Sequence, residues 1–420
     1  MYVHHRAHGD AARLVISLFL LTLGGCGFGL GSDGDHSPST LNLLTPGDSA
    51  THVESDANNV LEFAEPVDST TEAELIRGEI SSVNDVDVYD LGPVAPGDRI
   101  LVEVNTDTLD GVVALFDEGG SALLVNDHRN VYLGRNGPFI DVVIRRSSSS
   151  CMVALATTPG YSATGDYVLI ASSESSNPIP DPRPDAVLLD FTARQDVRIG
   201  TRPAIDVPEF DAGNILSQYE SFTDEMVAQI VDFMRNDFAA YNVTILSTSE
   251  GEEPDASVTR LHFGTFDEAL LGVAEGVDEF NAYSGQAAIV FTDTFAAFAP
   301  LDPSVSEMAQ AIANVGSHEI GHLLGLVHTN NPDDVMDVTA SLSELTLDQE
   351  FVRSPIYAGV FPLGDQDSVQ SLLDAVGGDE RAARGMSAGR DKTRAQVKDR
   401  SSLFRARGFC VLSGCGLHEH

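Results

Sequence analysis

Residues 318–328 read His-Glu-Ile-Gly-His-Leu-Leu-Gly-Leu-Val-His. His318 and His322 are four apart, so on a helix they share a face and their imidazoles can reach one metal ion. Glu319 follows the first of them, beside such a metal without having to bind it. That place suits a base that takes a proton from a metal-bound water. His328 is too far along to reach the same ion if the helix continues. Gly325 can adopt a positive φ, end the helix and turn the chain back, which makes His328 a third ligand. Three protein ligands leave a fourth position for water, as a catalytic zinc site needs. The alternative is an exposed helix that happens to carry histidines. Ile320, Leu323, Leu324, Leu326 and Val327 argue against it, because a helix this apolar is buried and its polar residues need a reason to be there.

Met336 lies eight residues after His328, in Pro332-Asp333-Asp334-Val335-Met336-Asp337. With the zinc motif upstream, this stretch resembles the metzincin clan of zinc endopeptidases. From Val315 to Met336 it is most similar to the matrixin-like branch, with the same short interval to the methionine and a hydroxyl residue, Thr329, after the third histidine. The resemblance implies a two-lobed α+β (zincin-like) catalytic domain with a twisted sheet and the zinc helix above a cleft. It also implies peptide-bond hydrolysis, with Zn²⁺ on His318, His322 and His328, Glu319 as base, and structural support from Met336 and Gly325. Two features depart from the clan. Val338 stands where astacin-like and serralysin-like enzymes carry a tyrosine ligand, and no Pro-Arg-Cys-Gly segment supports cysteine-switch latency.

Composition sets the outer limits. The chain has 420 residues, 24 basic and 64 acidic, for a net charge of −40. Phosphate would be repelled, so nucleic-acid binding is excluded. Most of these acids serve solvation. The run Leu14–Leu23, after Arg6 and Arg13, is too short to span a membrane and reads as a signal peptide over 1–25. Leu23-Gly24-Gly25-Cys26 resembles a bacterial lipobox, which implies lipidation of Cys26 and a membrane anchor. The alternative is ordinary signal cleavage nearby. Gly27 in place of aspartate favours the outer membrane or cell surface. Cys151 reads as a buried apolar residue, and Cys410 and Cys415 either pair or stay free. Nothing calls for more than a monomer.

The remainder divides by composition. Residues 26–55 read as a flexible tether. Residues 56–173 show short alternating runs between turn signals, such as Val86–Leu91, Arg99–Val104, Gly111–Phe116 and Asp166–Ile170, and suggest an all-β sandwich. The pieces Asp85–Tyr89, Pro96–Asp98, Leu115–Asp117, Asn126–Asp127 and Gly165–Tyr167 resemble the bacterial pre-peptidase C-terminal domain, a jelly-roll module. Its acids make Ca²⁺ a second candidate cofactor, with Asp85, Asp87, Asn126 and Asp127 either ligands or turn formers. A Pro/Ser linker follows over 174–185. The catalytic domain, 186–376, opens with strand Ala186–Phe191 and helix Thr223–Tyr241, then strands Asn242–Leu246 and Val258–Phe263, where His262 is structural. Gly272–Asp278 is the edge strand implied to pair with substrate, and Ala287–Asp293 a further strand. Ser304 or Ser306 caps the zinc helix. Residues 338–362 wall the primed-side pocket, and Asp365–Asp374 closes the domain as a helix. The tail 377–420 holds nine of the basic residues and reads as disordered. His418 and His420 are incidental.

The expected whole is a multidomain chain, a jelly-roll-like sandwich followed by a metzincin-like catalytic domain. It would be a zinc endopeptidase acting on protein or peptide substrates of the envelope or exterior. The rivals are a non-catalytic surface lipoprotein with a structural zinc and a binding β-module, and a zinc enzyme acting on a non-peptide amide.

Overall fold

The computed structural model describes residues 52–385 apart from 56–57, 68–72 and 128–136. The proposed leader, Cys26, nearly all of the tether, Cys410, Cys415 and the tail beyond 385 lie outside the described residues.

Ten strands build the first half: β1 (His52–Val53), β2 (Glu65–Pro66), β3 (Glu74–Ile80), β4 (Val86–Asp90), β5 (Arg99–Asn105), β6 (Gly111–Phe116), β7 (Ala122–Asn126), β8 (Phe139–Val143), β9 (Met152–Thr157) and β10 (Gly165–Glu174). They form two five-stranded sheets, ordered β1-β3-β10-β5-β8 and β2-β4-β9-β6-β7. Alternate residues of each strand point to opposite faces. Tyr89, Val113, Leu115, Val153 and Leu155 therefore meet Ile100, Val102 and Leu169 in a core between the sheets. Cys151 is buried there.

The second half opens with β11 (Asp185–Asp190), the pair β12 (Arg194–Val197) and β13 (Ile205–Val207), and the short helix α1 (Ala212–Ile215). Next come α2 (Thr223–Asp237), β14 (Val243–Ser247), β15 (Thr259–Phe263), β16 (Gly272–Ala274), β17 (Ala287–Val290) and α3 (Val305–Leu323). The chain closes with α4 (Leu342–Leu345), β18 (Arg353–Pro355), β19 (Asp365–Asp367) and α5 (Ser368–Val376). The main sheet runs β14-β11-β15-β17-β16. Its β11, β14, β15 and β17 pair in parallel, and β16 is an antiparallel edge. Met226, Ile230 and Met234 of α2 recur at helical spacing and join the core beneath α3.

Several expectations shift. The α2 helix stops at Asp237, where Ser317 of α3 donates to the buried Asp237 carboxylate at 2.7 Å. The edge strand is three residues long. Asp365–Asp367 is a strand, paired with β18, and the closing helix starts at Ser368 because Asp367 caps it through the Gln370 amide. The Pro/Ser segment is exposed yet tied down. The Asn177 amide donates to the Gly97 carbonyl at 2.8 Å, and the Arg183 amide to that of Ala375 at 2.7 Å. Residues 377–385, assigned to the tail, are folded: the Asp379 amide donates to the Ala240 carbonyl at 2.8 Å, and Ala383 is buried.

The four residues considered for calcium have other partners. Asp85 accepts from Ser81, and Asp87 from the Tyr167 hydroxyl. Asn126 donates to the Phe139 carbonyl. Among the described residues, one group of three or more side chains can hold a metal ion, and Asp85, Asp87, Asn126 and Asp127 do not belong to it. Calcium is not supported.

Candidate metal centre

The site starts with a well-capped helix. Of the two serines expected to cap α3, Ser304 does so. Its hydroxyl accepts from the Glu307 amide and the Glu307 carboxylate accepts from the Ser304 amide, a capping box. From Met308 to Leu323 every residue is buried, so each polar one needs a partner. Gln310 donates to Asn314 at 2.9 Å, and Asn314 donates to the carbonyls of Leu345 and Leu347 at 2.8 and 2.6 Å.

The helix ends where Gly325 takes φ +95°. The Leu326 amide donates to the Gly321 carbonyl and the Gly325 amide to that of His322, both at 2.9 Å, which is a Schellman motif. A Cβ at Gly325 would also press on the backbone of Asp278, Glu279 and Phe280. The turn sends the chain back, and His328 returns to the two helical histidines.

The three imidazoles converge. Nε2 of His322 lies 3.1 Å from Nε2 of His318 and 3.0 Å from Nε2 of His328. Nδ1 of His318 donates to the Val335 carbonyl at 2.7 Å, and Nδ1 of His322 to that of Leu326 at 2.8 Å. Those bonds fix the tautomer, so the lone pairs of these two rings sit on the converging Nε2 atoms. Facing lone pairs repel, and a cation among them reverses the sign. Burial pushes the His318 imidazole down to about 4. Burial first, and neighbouring histidines second, hold His322 and His328 well below the ordinary range. Neutral imidazole is the metal-binding form. Three nitrogen donors with room for a fourth ligand fit Zn²⁺.

Glu319 is fully buried beside the triad. Its Oε1 occupies the space that a Cβ on Gly272 of the edge strand would take. A small cavity opens next to His318 and Glu319, with Leu271, Val315, Val335 and Leu345 among its walls. Leu345 and Gln349 bring the expected 338–362 segment to that wall. His262 is buried elsewhere in the sheet, 3.9 Å from Asp190, and takes no part.

Met336 lies against the helix at Gly321, between the two helical histidines, where its sulfur fills the place of an absent Cβ. The turn that carries it is held by Asp334, which accepts from the Thr329 hydroxyl at 2.9 Å and from the Met336 amide at 3.2 Å. Gly321, Asp334 and Asn314 support the site and were not singled out from the sequence. Asp334 had a readable signal, an acid two residues before the methionine that can bond the backbone ahead of it. Gly321 had none, because its partner lies fifteen residues away.

A matrixin family model matches residues 248–352, a quarter of the chain that includes the whole histidine motif and Met336. No curated protein matches. Among solved structures, the chain is similar to archaemetzincin from Methanopyrus kandleri, at 16% identity and TM-score 0.24, over 40% of this chain and 87% of that one. It is also similar to the pre-peptidase C-terminal domain of collagenase from Bacillus anthracis, at 18% identity and TM-score 0.20, over 26% of this chain and 94% of that one. A third likeness is to a periplasmic inhibitor of g-type lysozyme from Aeromonas hydrophila, at 10% identity and TM-score 0.21, over 26% of this chain and 99% of that one. The metzincin resemblance of residues 315–336 thus has an independent match, which supports a zinc metallopeptidase.

Proposed function

We propose that this chain is a zinc endopeptidase, with His318, His322 and His328 holding the metal and Glu319 acting as general base. The observation that carries the reading is the buried Glu319 carboxylate beside three convergent imidazoles, at the mouth of an apolar cavity. Taking a carboxylate out of water costs free energy that something at the site must offset. A purely structural metal site has no use for it, so the structural-zinc rival leaves that cost unexplained.

Zinc bound there would act as a Lewis acid toward the scissile carbonyl and lower the pKa of a water molecule. Glu319 takes the proton from the attacking water and returns it to the leaving amine. The water oxygen bonds the carbonyl carbon, the C–N bond breaks, and the products are one carboxylate and one amine. As the last strand of its sheet, β16 is placed to pair with an extended substrate through main-chain groups, without regard to side chain. The cavity beside Glu319 takes the side chain that follows the cleaved bond, and its modest size and apolar walls favour small apolar residues.

The finer placement is also proposed: an exported lipoprotein anchored through Cys26, acting on envelope or extracellular proteins. Its support is the Leu23–Cys26 stretch alone. Cys26→Ser should move the protein from the detergent phase to the aqueous phase on partition.

The deciding experiment is cleavage of a quenched, unfolded protein by the full chain beside Glu319→Ala, with zinc measured in both. Cleavage by the first, at least about a thousandfold less by the second, and equal zinc would support metal and base together. Zinc in both and cleavage in neither would favour the structural-site rival. Cleavage confined to single-residue amides would favour the non-peptide amide reading. Zinc in neither would remove the basis of the proposal.

A further inference from the structure

In the sandwich sheet β2-β4-β9-β6-β7, the central strands β4, β9 and β6 are buried on both faces. Their inward residues fill the sandwich core. Their outward residues, among them Val88, Val112, Ala114, Phe116 and Ala154, form one buried cluster with Val327, Ile356, Val360 and Phe361 of the catalytic half. The rings of Phe116 and Phe361 lie 5.7 Å apart, tilted by 52°. Phe116 also fills the space beside Gly364, whose φ of +79° turns the chain there. Polar ties border the cluster. Arg353 donates to the Gly119 carbonyl at 2.5 Å, the Asp365 amide to that of Gly120 at 2.9 Å, and Arg146 pairs with Asp374 at 2.9 Å.

The catalytic side of this contact is the segment that holds His328. The Tyr357 amide donates to the His328 carbonyl at 2.9 Å. Buried Gln366 clamps the residue before it, accepting from the Val327 amide at 2.7 Å and donating to the Val327 carbonyl at 2.9 Å. His318 and His322 are fixed by a nineteen-residue helix. His328 sits on irregular chain after Gly325, and what lies on its far side is the 353–366 segment backed by the β-sheet.

We propose that the β-module is a built-in scaffold for the third histidine: its outer sheet face fixes the Ile356–Phe361 loop, and Gln366 passes that position to Val327 and His328. Phe361 and Gln366 are positioning residues. The inference rests on the triad being the metal site. A rigid first ligand pair with a misplaced third loses affinity, because outer contacts that orient a ligand are worth about 10- to 100-fold in metal binding.

The test uses the full chain and reads zinc affinity by competition with a chromophoric chelator, together with the melting temperature without metal. The variants are Phe361→Ala, Gln366→Met, which keeps volume and loses both bonds to Val327, and Ile140→Ala, which opens the sandwich core away from the contact. Phe361→Ala and Gln366→Met should weaken zinc by about tenfold or more. Ile140→Ala should lower the melting temperature and leave zinc affinity within about twofold. Wild-type affinity in Gln366→Met and Phe361→Ala, with melting lowered as in Ile140→Ala, would overturn the scaffold and leave the module a source of stability alone. If Phe361→Ala does not fold, Gln366→Met decides alone. Absence of zinc from the wild type would instead overturn the metal site itself.

Discussion

Single contacts at the site are close enough that small changes should register. Gly321 touches the Met336 sulfur where a Cβ would stand. Gly321→Ala should cost about 1–3 kcal/mol from overpacking, offset in part by about 1 kcal/mol of helix propensity. Adding Met336→Ala should recover part of the loss, and thermal unfolding of the double-mutant cycle measures the coupling. Leu345 walls the cavity next to Glu319. Leu345→Ala should shift cleavage toward larger apolar side chains after the scissile bond, read by mass spectrometry of a peptide library. An unchanged profile would show that this cavity does not select substrate. The histidine motif was legible because its spacing is chemically dictated. Gly321 was not, since it has a meaning only beside Met336, which folding brings near.

Elements carry the next order of cost. Ser304 and Glu307 close the start of α3, and Ser304→Ala should lower stability by about 1 kcal/mol in urea unfolding. Sequence left Ser304 and Ser306 as alternatives. Glu307 resolves them, since it stands three residues after Ser304 and completes a capping box. Deeper in the same helix, Asn314→Ala would leave the Leu345 and Leu347 carbonyls without their donor. It should cost about 2–3 kcal/mol and blur the selectivity tested through Leu345, measured in the same two assays. Asp365–Asp367 precedes the helical spacing of Val369, Leu372 and Leu373 without a break in sequence, yet it forms strand β19. Pairing with β18 and the Asp367 cap set the boundary between strand and helix there.

Across the whole molecule, two domains share a buried cluster, and global stability should respond to groups in either. Asp87 lies in the sandwich, fully buried, and burial pushes its carboxyl up to about 8. The folded chain therefore keeps a proton that the unfolded chain releases near pH 4. The contribution of Asp87 to stability should fall as pH rises from about 4 to about 8, by on the order of a few kcal/mol, and level off above that. The three buried neutral histidines give the opposite slope up to 6.5. Asp87→Asn should remove the falling contribution in urea unfolding followed across pH. An unchanged slope would place the titration on another group. The sequence by itself determined the chemistry: which residues could meet a metal, which could be its base, where the helix must end, and that a β-sandwich precedes a mixed α/β domain. Those follow from local spacing, alternation and turn residues, which are properties of neighbouring positions. Only the tertiary structure decided that Val88, Phe116 and Val327 belong to one core, that Gln366 grips the chain before His328, and that the Pro/Ser segment is tied to both halves. Alternation marks β4, β6 and β9 as strands with apolar faces. It cannot say what covers the second face, because that partner lies some two hundred residues away and is chosen by shape and burial.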